Sequence, residues 1–134
     1  MSYTITPADD GSYIFIKVKG EITRKTAMQQ NLEAHALGRR LKIRRYLVDV
    51  TEARNVDPAF QNYEFAYSDM QKSDAVDRSA RVATLVHPED HSHDFIETVA
   101  QNAGLQVRLF TDLELAKQYL MEGWPADPSE AIDD

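Results

Sequence analysis

The sequence predicts a mixed α/β domain built on a mostly parallel five-stranded sheet. Three observations carry that expectation. The chain opens with two alternating segments joined through Asp10-Gly11, a strong hairpin signal. A short apolar run, Tyr46-Leu47-Val48-Asp49-Val50, reads as a central strand covered on both faces. Beyond it, apolar strand-like runs alternate with segments of helical period, which implies parallel strands joined by right-handed crossovers. The order expected is β-β-α-β-α-β-α-β-α, five strands with four helices and one antiparallel strand at or near an edge.

The elements follow from local chemistry. Tyr3-Thr4-Ile5-Thr6 alternates, and Asp10-Gly11 accepts the positive φ of a tight turn. In 13–19, Ile14, Ile16 and Val18 share one face against Phe15, Lys17 and Lys19, and Gly20 is expected to close the hairpin. Thr23 can cap a helix reaching Leu37, with Gly38 as its left-handed stop and Met28, Leu32 and Ala36 as the stripe laid on the sheet. The basic stretch from Arg39 to Arg45 reads as a solvated loop, or in a sharper reading as an anion patch. After the central strand, Asp57-Pro58 has the form of an N-cap and first helical residue. The helix expected over 59–71 carries Phe60, Tyr63, Tyr67 and Met70 on a core stripe, while Phe65 falls among Gln61, Asn62, Asp69 and Lys72 on the polar side. A strand is expected over 80–86. A helix over about 90–103 follows, with Phe95, Ile96, Val99, Ala100 and Ala103 on one arc and Gly104 ending it. A last strand spans 105–110. Thr111-Asp112-Leu113-Glu114 reads as a capping box for a final helix to about Glu122, with Leu113, Ala116 and Leu120 inward.

Bulk properties bound the function. The 134 residues fit one domain over 1–124, and 43% hydrophobic residues are enough for a core. Of the seven net negative charges, four come from Asp127, Glu130, Asp133 and Asp134, so 125–134 is expected to be a disordered acidic tail. The negative sign disfavours nucleic acid and anionic lipid as partners. The absence of cysteine removes disulfides, thiol nucleophiles and thiolate metal sites, and suits a reducing cytoplasm. No basic-then-apolar leader opens the sequence, and no apolar run approaches bilayer length, so a cytoplasmic protein without membrane insertion is expected.

The strand Tyr46-Leu47-Val48-Asp49-Val50, running into Thr51-Glu52-Ala53-Arg54 after a hairpin and one helix, resembles the STAS superfamily (SpoIIAA-like). It is similar in particular to small stand-alone bacterial members grouped with the STAS and CRAL-TRIO-like folds. The resemblance covers about residues 3–122. It implies a SpoIIAA-like, mixed but mostly parallel sheet, and a domain that binds proteins or small apolar ligands without chemistry. In the anti-sigma-factor antagonists of the superfamily an Asp-Ser pair after this strand carries a phosphorylation switch. Here the matching place reads Val56-Asp57-Pro58-Ala59, which has no hydroxyl.

Two clusters invite chemical readings. His87, His91 and His93 lie among Glu89, Asp90 and Asp94, the right ligand types for zinc. His91 and His93 do not share a helical face, however, and a polar loop with Asp90 or Ser92 as a cap is the plainer account. Asp49 and Glu52 could act as an acid–base pair, although ion pairing with Arg45, Arg54 or Arg81 is the commoner fate of such carboxylates. His35 reads as packed. No glycine-rich phosphate loop or serine elbow occurs, and no cofactor is implied. The reading is therefore a non-enzymatic domain that acts on a protein partner or as a homodimer, with Phe65, Asp69 and Gln61 as contact candidates. The alternative is a carrier or sensor for a lipid or other apolar molecule, lined by Asp49, Phe60, Tyr63, Tyr67 and Met70.

Overall fold

The computed structural model describes residues 2–56, 79–102 and 104–122. They form β1 (Ser2–Pro7), β2 (Ile14–Ile22), α1 (Arg24–Leu41), β3 (Arg45–Asn55), β4 (Arg81–Leu85), α2 (Asp94–Asn102), β5 (Gln106–Phe110) and α3 (Leu113–Met121). The architecture is α/β with a mixed five-stranded sheet and three helices among the described residues. The fourth helix, expected over 59–71, lies outside them, as do Ala103, the side chains of Phe95, Ile96 and Val99, and the acidic segment 125–134. No described helix is long and apolar enough to cross a membrane.

Spatial order follows chain order, β1-β2-β3-β4-β5. β1 is antiparallel to β2, and β2 to β5 are mutually parallel. Sequential parallel strands with crossovers of one hand place the crossover helices on one face. Accordingly, Ala27, Ala34 and Leu37 of α1 pack over Ile14, Ile16, Val18, Tyr46 and Val50. Ala100 of α2 joins Leu105, Met28 and Val107 on the same side. The opposite face has α3, whose Ala116 and Leu120 bury Leu47 and Ala83. Strand order never reverses within the parallel set, so the crevice that a reversal opens at strand ends is missing from the described sheet.

Several local expectations are corrected. β2 runs through Gly20 to Ile22, because β3 continues to Asn55 and supplies partners that far. α1 does not stop at Gly38. It continues to Leu41, and the left-handed residue is Lys42 (φ 60°, ψ 41°). Gly38 is instead a point of close approach: a Cβ there would meet the Tyr46 hydroxyl and stand 2.8 Å from the Ile43 carbonyl oxygen. Of the Met28, Leu32, Ala36 stripe only Met28 packs inward, against the Ala100 and Leu105 cluster, while Leu32 and Ala36 are exposed, since strict i+4 spacing drifts by about 40° per step. The buried line is Gln30, Ala34, His35 and Gly38, small residues among them letting the helix sit close. Arg39 and Arg40 belong to the last turn of α1, where their charge suits the helix carboxyl end.

At α3, Asp112 is the N-cap in place of Thr111, its Oδ1 accepting from Glu114 N (2.8 Å) and Leu115 N (3.3 Å). Leu113 is exposed, because its turn stands beyond Phe110, the last residue of β5. Gly104 does end α2, at φ 87°. Its N–H reaches the Gln101 carbonyl and that of Leu105 reaches Ala100, the paired bonds of a Schellman motif, with Leu105 packed on Ala100.

Candidate functional site

Asp49 stands level with Leu85, the last residue of β4, so it marks the carboxyl edge of that half of the sheet although β3 runs on beside β2. Three steps along β3 (Asp49 to Glu52) oppose two along β2 (Lys17 to Lys19), a bulge in β3. The Asp49 carboxylate stabilises the bulge: Oδ1 accepts from Thr51 N (2.9 Å) and from the Thr51 hydroxyl (2.7 Å). Its other oxygen meets Lys17 Nζ at 3.2 Å, and Lys17 also reaches Glu52 at 3.3 Å. The partner is thus a lysine directly across the strand pair, not Arg45, Arg54 or Arg81. Burial pushes the Asp49 carboxyl up, but the Thr51 and Lys17 hydrogen bonds outweigh it and hold the group below its ordinary value. Asp49 is ionised at neutral pH and fully occupied.

The arginines have another task. Arg45 and Arg81 are register partners at the amino ends of β3 and β4. Arg45 is buried and donates from Nε to the Leu120 carbonyl at 2.7 Å. Arg81 donates to the carbonyls of Tyr119 (3.0 Å) and Glu122 (2.6 Å). Two guanidinium groups therefore close the carboxyl end of α3, where orphan carbonyls and the helix dipole both favour cations.

The histidines separate. His87 Nδ1 accepts from Glu89 N at 3.1 Å, and the exposed His91 pairs with Asp94 at 3.0 Å. His93 is 6% exposed, lies beside the Ala53 backbone, and holds Nε2 3.6 Å from Asp90 Oδ2 with no hydrogen-bond partner among the described residues. Burial pushes its imidazole below the ordinary value, against the pull of Asp90. Asp90 also accepts from Ser92 N, and Ser92 Oγ accepts from Asn55 N, so the loop clasps the end of β3. No three of His87, His91, His93 and their carboxylates converge, and the described residues contain no cluster of three such ligands. His35 is packed as expected, stacked on Tyr46 at 4.6 Å.

Most contact and pocket candidates from the sequence, Phe65, Asp69, Gln61, Phe60, Tyr63, Tyr67 and Met70, lie outside the described residues, as do Asp57 and Pro58. What the sequence reasoning missed is an open groove of about 570 Å³ between α3 and β5. Arg108 and Phe110 line it from β5, and Leu115, Gln118, Tyr119 and Met121 from α3, with Glu122, the residue that follows the helix, completing the lining. The Arg108 guanidinium stands over the rings of Tyr119 (5.4 Å) and Phe110 (5.9 Å), while Arg81 covers Tyr119 from its own position at 5.3 Å. Among the described residues no carboxylate lies within ion-pair distance of Arg108. Leu115 is 53% exposed. A sequence signal existed: Arg108 and Phe110 share a strand face by alternation, and Leu115 and Tyr119 share a helix side at i, i+4.

Set against known proteins, the sequence matches no family model and no curated protein.

Proposed function

We propose that the chain is a non-enzymatic STAS-like binding domain that works by contact with a protein partner, a second copy of itself included. The observation that carries the reading is the α3–β5 groove. Arginine and tyrosine dominate binding hot spots, and here Arg108 and Tyr119 stand with Phe110, Leu115 and Met121 around one open depression. Its cationic head is braced by two rings and has no described carboxylate within ion-pair distance, Glu122 standing on the rim of the same groove, so a partner segment carrying an acidic residue beside an apolar one fits it. The carboxylate would meet Arg108 and the apolar side chain would cover Leu115.

The polar groups elsewhere support contact over chemistry. A general acid or base works best with a pKa near the working pH, whereas Asp49 is held ionised by three hydrogen-bond donors. The resemblance of the hairpin, first helix and Leu47-to-Arg54 strand to STAS domains supports the same reading.

Selection of a random peptide library against the protein, followed by fluorescence anisotropy with the enriched peptides, tests it. Enriched sequences should combine carboxylates with aliphatic or aromatic anchors. Their affinity should fall about tenfold or more in Arg108→Glu and Leu115→Ser, the loss of roughly one charged contact or one packed side chain. Saturable binding that both variants leave unchanged would remove the groove from the account. Turnover that disappears in Asp49→Asn would remove the non-enzymatic reading altogether.

A further inference from the structure

The two edges of the sheet are treated differently. On β5, the Leu109 N–H donates to Glu97 Oε2 at 2.6 Å and the Val107 carbonyl accepts from Gln101 Nε2 at 3.0 Å. Glu97 and Gln101, one turn apart on α2, thus occupy outward-facing backbone groups of that edge. β1 has no such cover: among the described residues its outward N–H and C=O groups meet no side chain. Its blunting is confined to Pro7 at the last position, since the segment 2–6 contains no charged residue and β1 pairs with β2 without a bulge.

We propose that two copies of this chain join along the free edge of β1, antiparallel and centred on Thr4, into one continuous sheet. That register is self-complementary, as a two-fold interface requires. Tyr3 falls opposite Ile5 on the α1 side, where both already pack against the core. Ser2 falls opposite Thr6, and Thr4 opposite itself, on the other side, where all three are exposed. Aromatic with β-branched and hydroxyl with hydroxyl are favourable cross-strand pairs. Pro7, which lacks a donor, stays just outside the paired segment.

The helix beside the edge carries matching charge. The Glu33 carboxylate lies close enough to the Tyr3 hydroxyl to push its pKa up, which places that side of α1 at the β1 border. Glu33, Ala36 and Arg40 follow one another at i, i+3 and i+7 on this side, and all are exposed. With strands about 4.8 Å apart, helices lying over β1 and β2 of each copy stand roughly 10 Å from one another, within packing reach. The two-fold runs them antiparallel, so Glu33 of one copy faces Arg40 of the second copy across the small Ala36. Neither Glu33 nor Arg40 has an ion-pair partner among the described residues.

The inference rests on the binding-domain reading with a second copy as partner, yet it uses none of the groove residues. Sedimentation equilibrium on the whole chain tests it. The native protein should shift with concentration from 15.2 kDa toward twice that mass. Thr4→Lys, which sets like charges opposite each other at an exposed position, should weaken the dimer about tenfold or more. Glu33→Arg should weaken it as well, and Glu33→Arg combined with Arg40→Glu should restore it. Because the chain has no cysteine, Thr4→Cys treated with diamide should give a disulfide-linked pair. A native chain that stays monomeric, or a dimer untouched by Thr4→Lys, would overturn the inference. Peptides still binding the groove of a monomeric chain would sink the edge alone, whereas a Thr4-dependent dimer with an inert groove would sink only the groove.

Discussion

Replacing Gly38 by alanine sets two opposing effects against each other, and the geometry decides the sign. In an exposed helix interior the change is stabilising by about 1 kcal/mol, because glycine is the poorer helix former by that amount. Gly38 is buried in α1, however, and its new methyl would meet the Tyr46 hydroxyl and stand 2.8 Å from the Ile43 carbonyl oxygen. The carbonyl cannot retreat freely, since Ile43 N is itself bonded to Gly38 O at 2.9 Å. Tyr46 cannot swing away either, being 2% exposed and stacked on His35. Overpacking of a close-fitted core costs about 1–3 kcal/mol, so the net expectation is a destabilisation of about 0–2 kcal/mol, toward the upper end for a contact this close. Urea unfolding followed by far-UV circular dichroism measures it, with an unchanged m-value showing that the loss belongs to the native state. Tyr46→Phe in the Gly38→Ala background should recover part of the loss by removing the oxygen nearest the new methyl. A Gly38→Ala protein more stable than the native one would refute the close-approach account.

Further outcomes follow from the caps and the buried imidazole. Arg45→Met keeps the apolar stem but leaves the Leu120 carbonyl without its charged donor, which should destabilise by about 2–3 kcal/mol in urea unfolding; a loss near zero would deny the clamp. Lys42→Gly relieves a non-glycine left-handed residue and should stabilise by about 0.5–1 kcal/mol, read from the same curves. His93 binds its proton less readily in the folded state than in the unfolded chain. Its contribution to stability is therefore fully present above the unfolded value near 6.5 and is lost as pH falls below it. Melting temperatures between pH 7.5 and 5, values chosen to bracket that figure, should decline in the native protein and decline less in His93→Gln.

How much of this was legible in the sequence depends on how local each cause is. Strand positions were readable because alternation and the Tyr46-to-Val50 run report burial directly, and Gly104 ended α2 because its own φ demanded glycine. The α1 face was misjudged because Leu32 looks more apolar than Ala34 and Gly38, while the helix sits where small side chains let it approach. The fate of Asp49 and Arg45 was hidden for a related reason. Their partners, Lys17 and the Leu120 carbonyl, are 32 and 75 residues away in the chain, and a carbonyl carries no sequence signature. The groove went unnoticed because its lining comes from a strand and a helix whose outward residues look like ordinary surface.

The agreement between chain order and spatial order has a kinetic consequence. As the protein leaves the ribosome, each new strand finds its neighbour already made, so the sheet can extend by accretion from its first hairpin. Arg45 and Arg81 are then in place long before α3 exists, and they meet the carbonyls of Leu120, Tyr119 and Glu122 only when that helix is delivered. A chain stalled before residue 113 would have a sheet with Leu47 and Ala83 bare on one side, an adhesive surface that chaperones would be expected to shield until synthesis resumes.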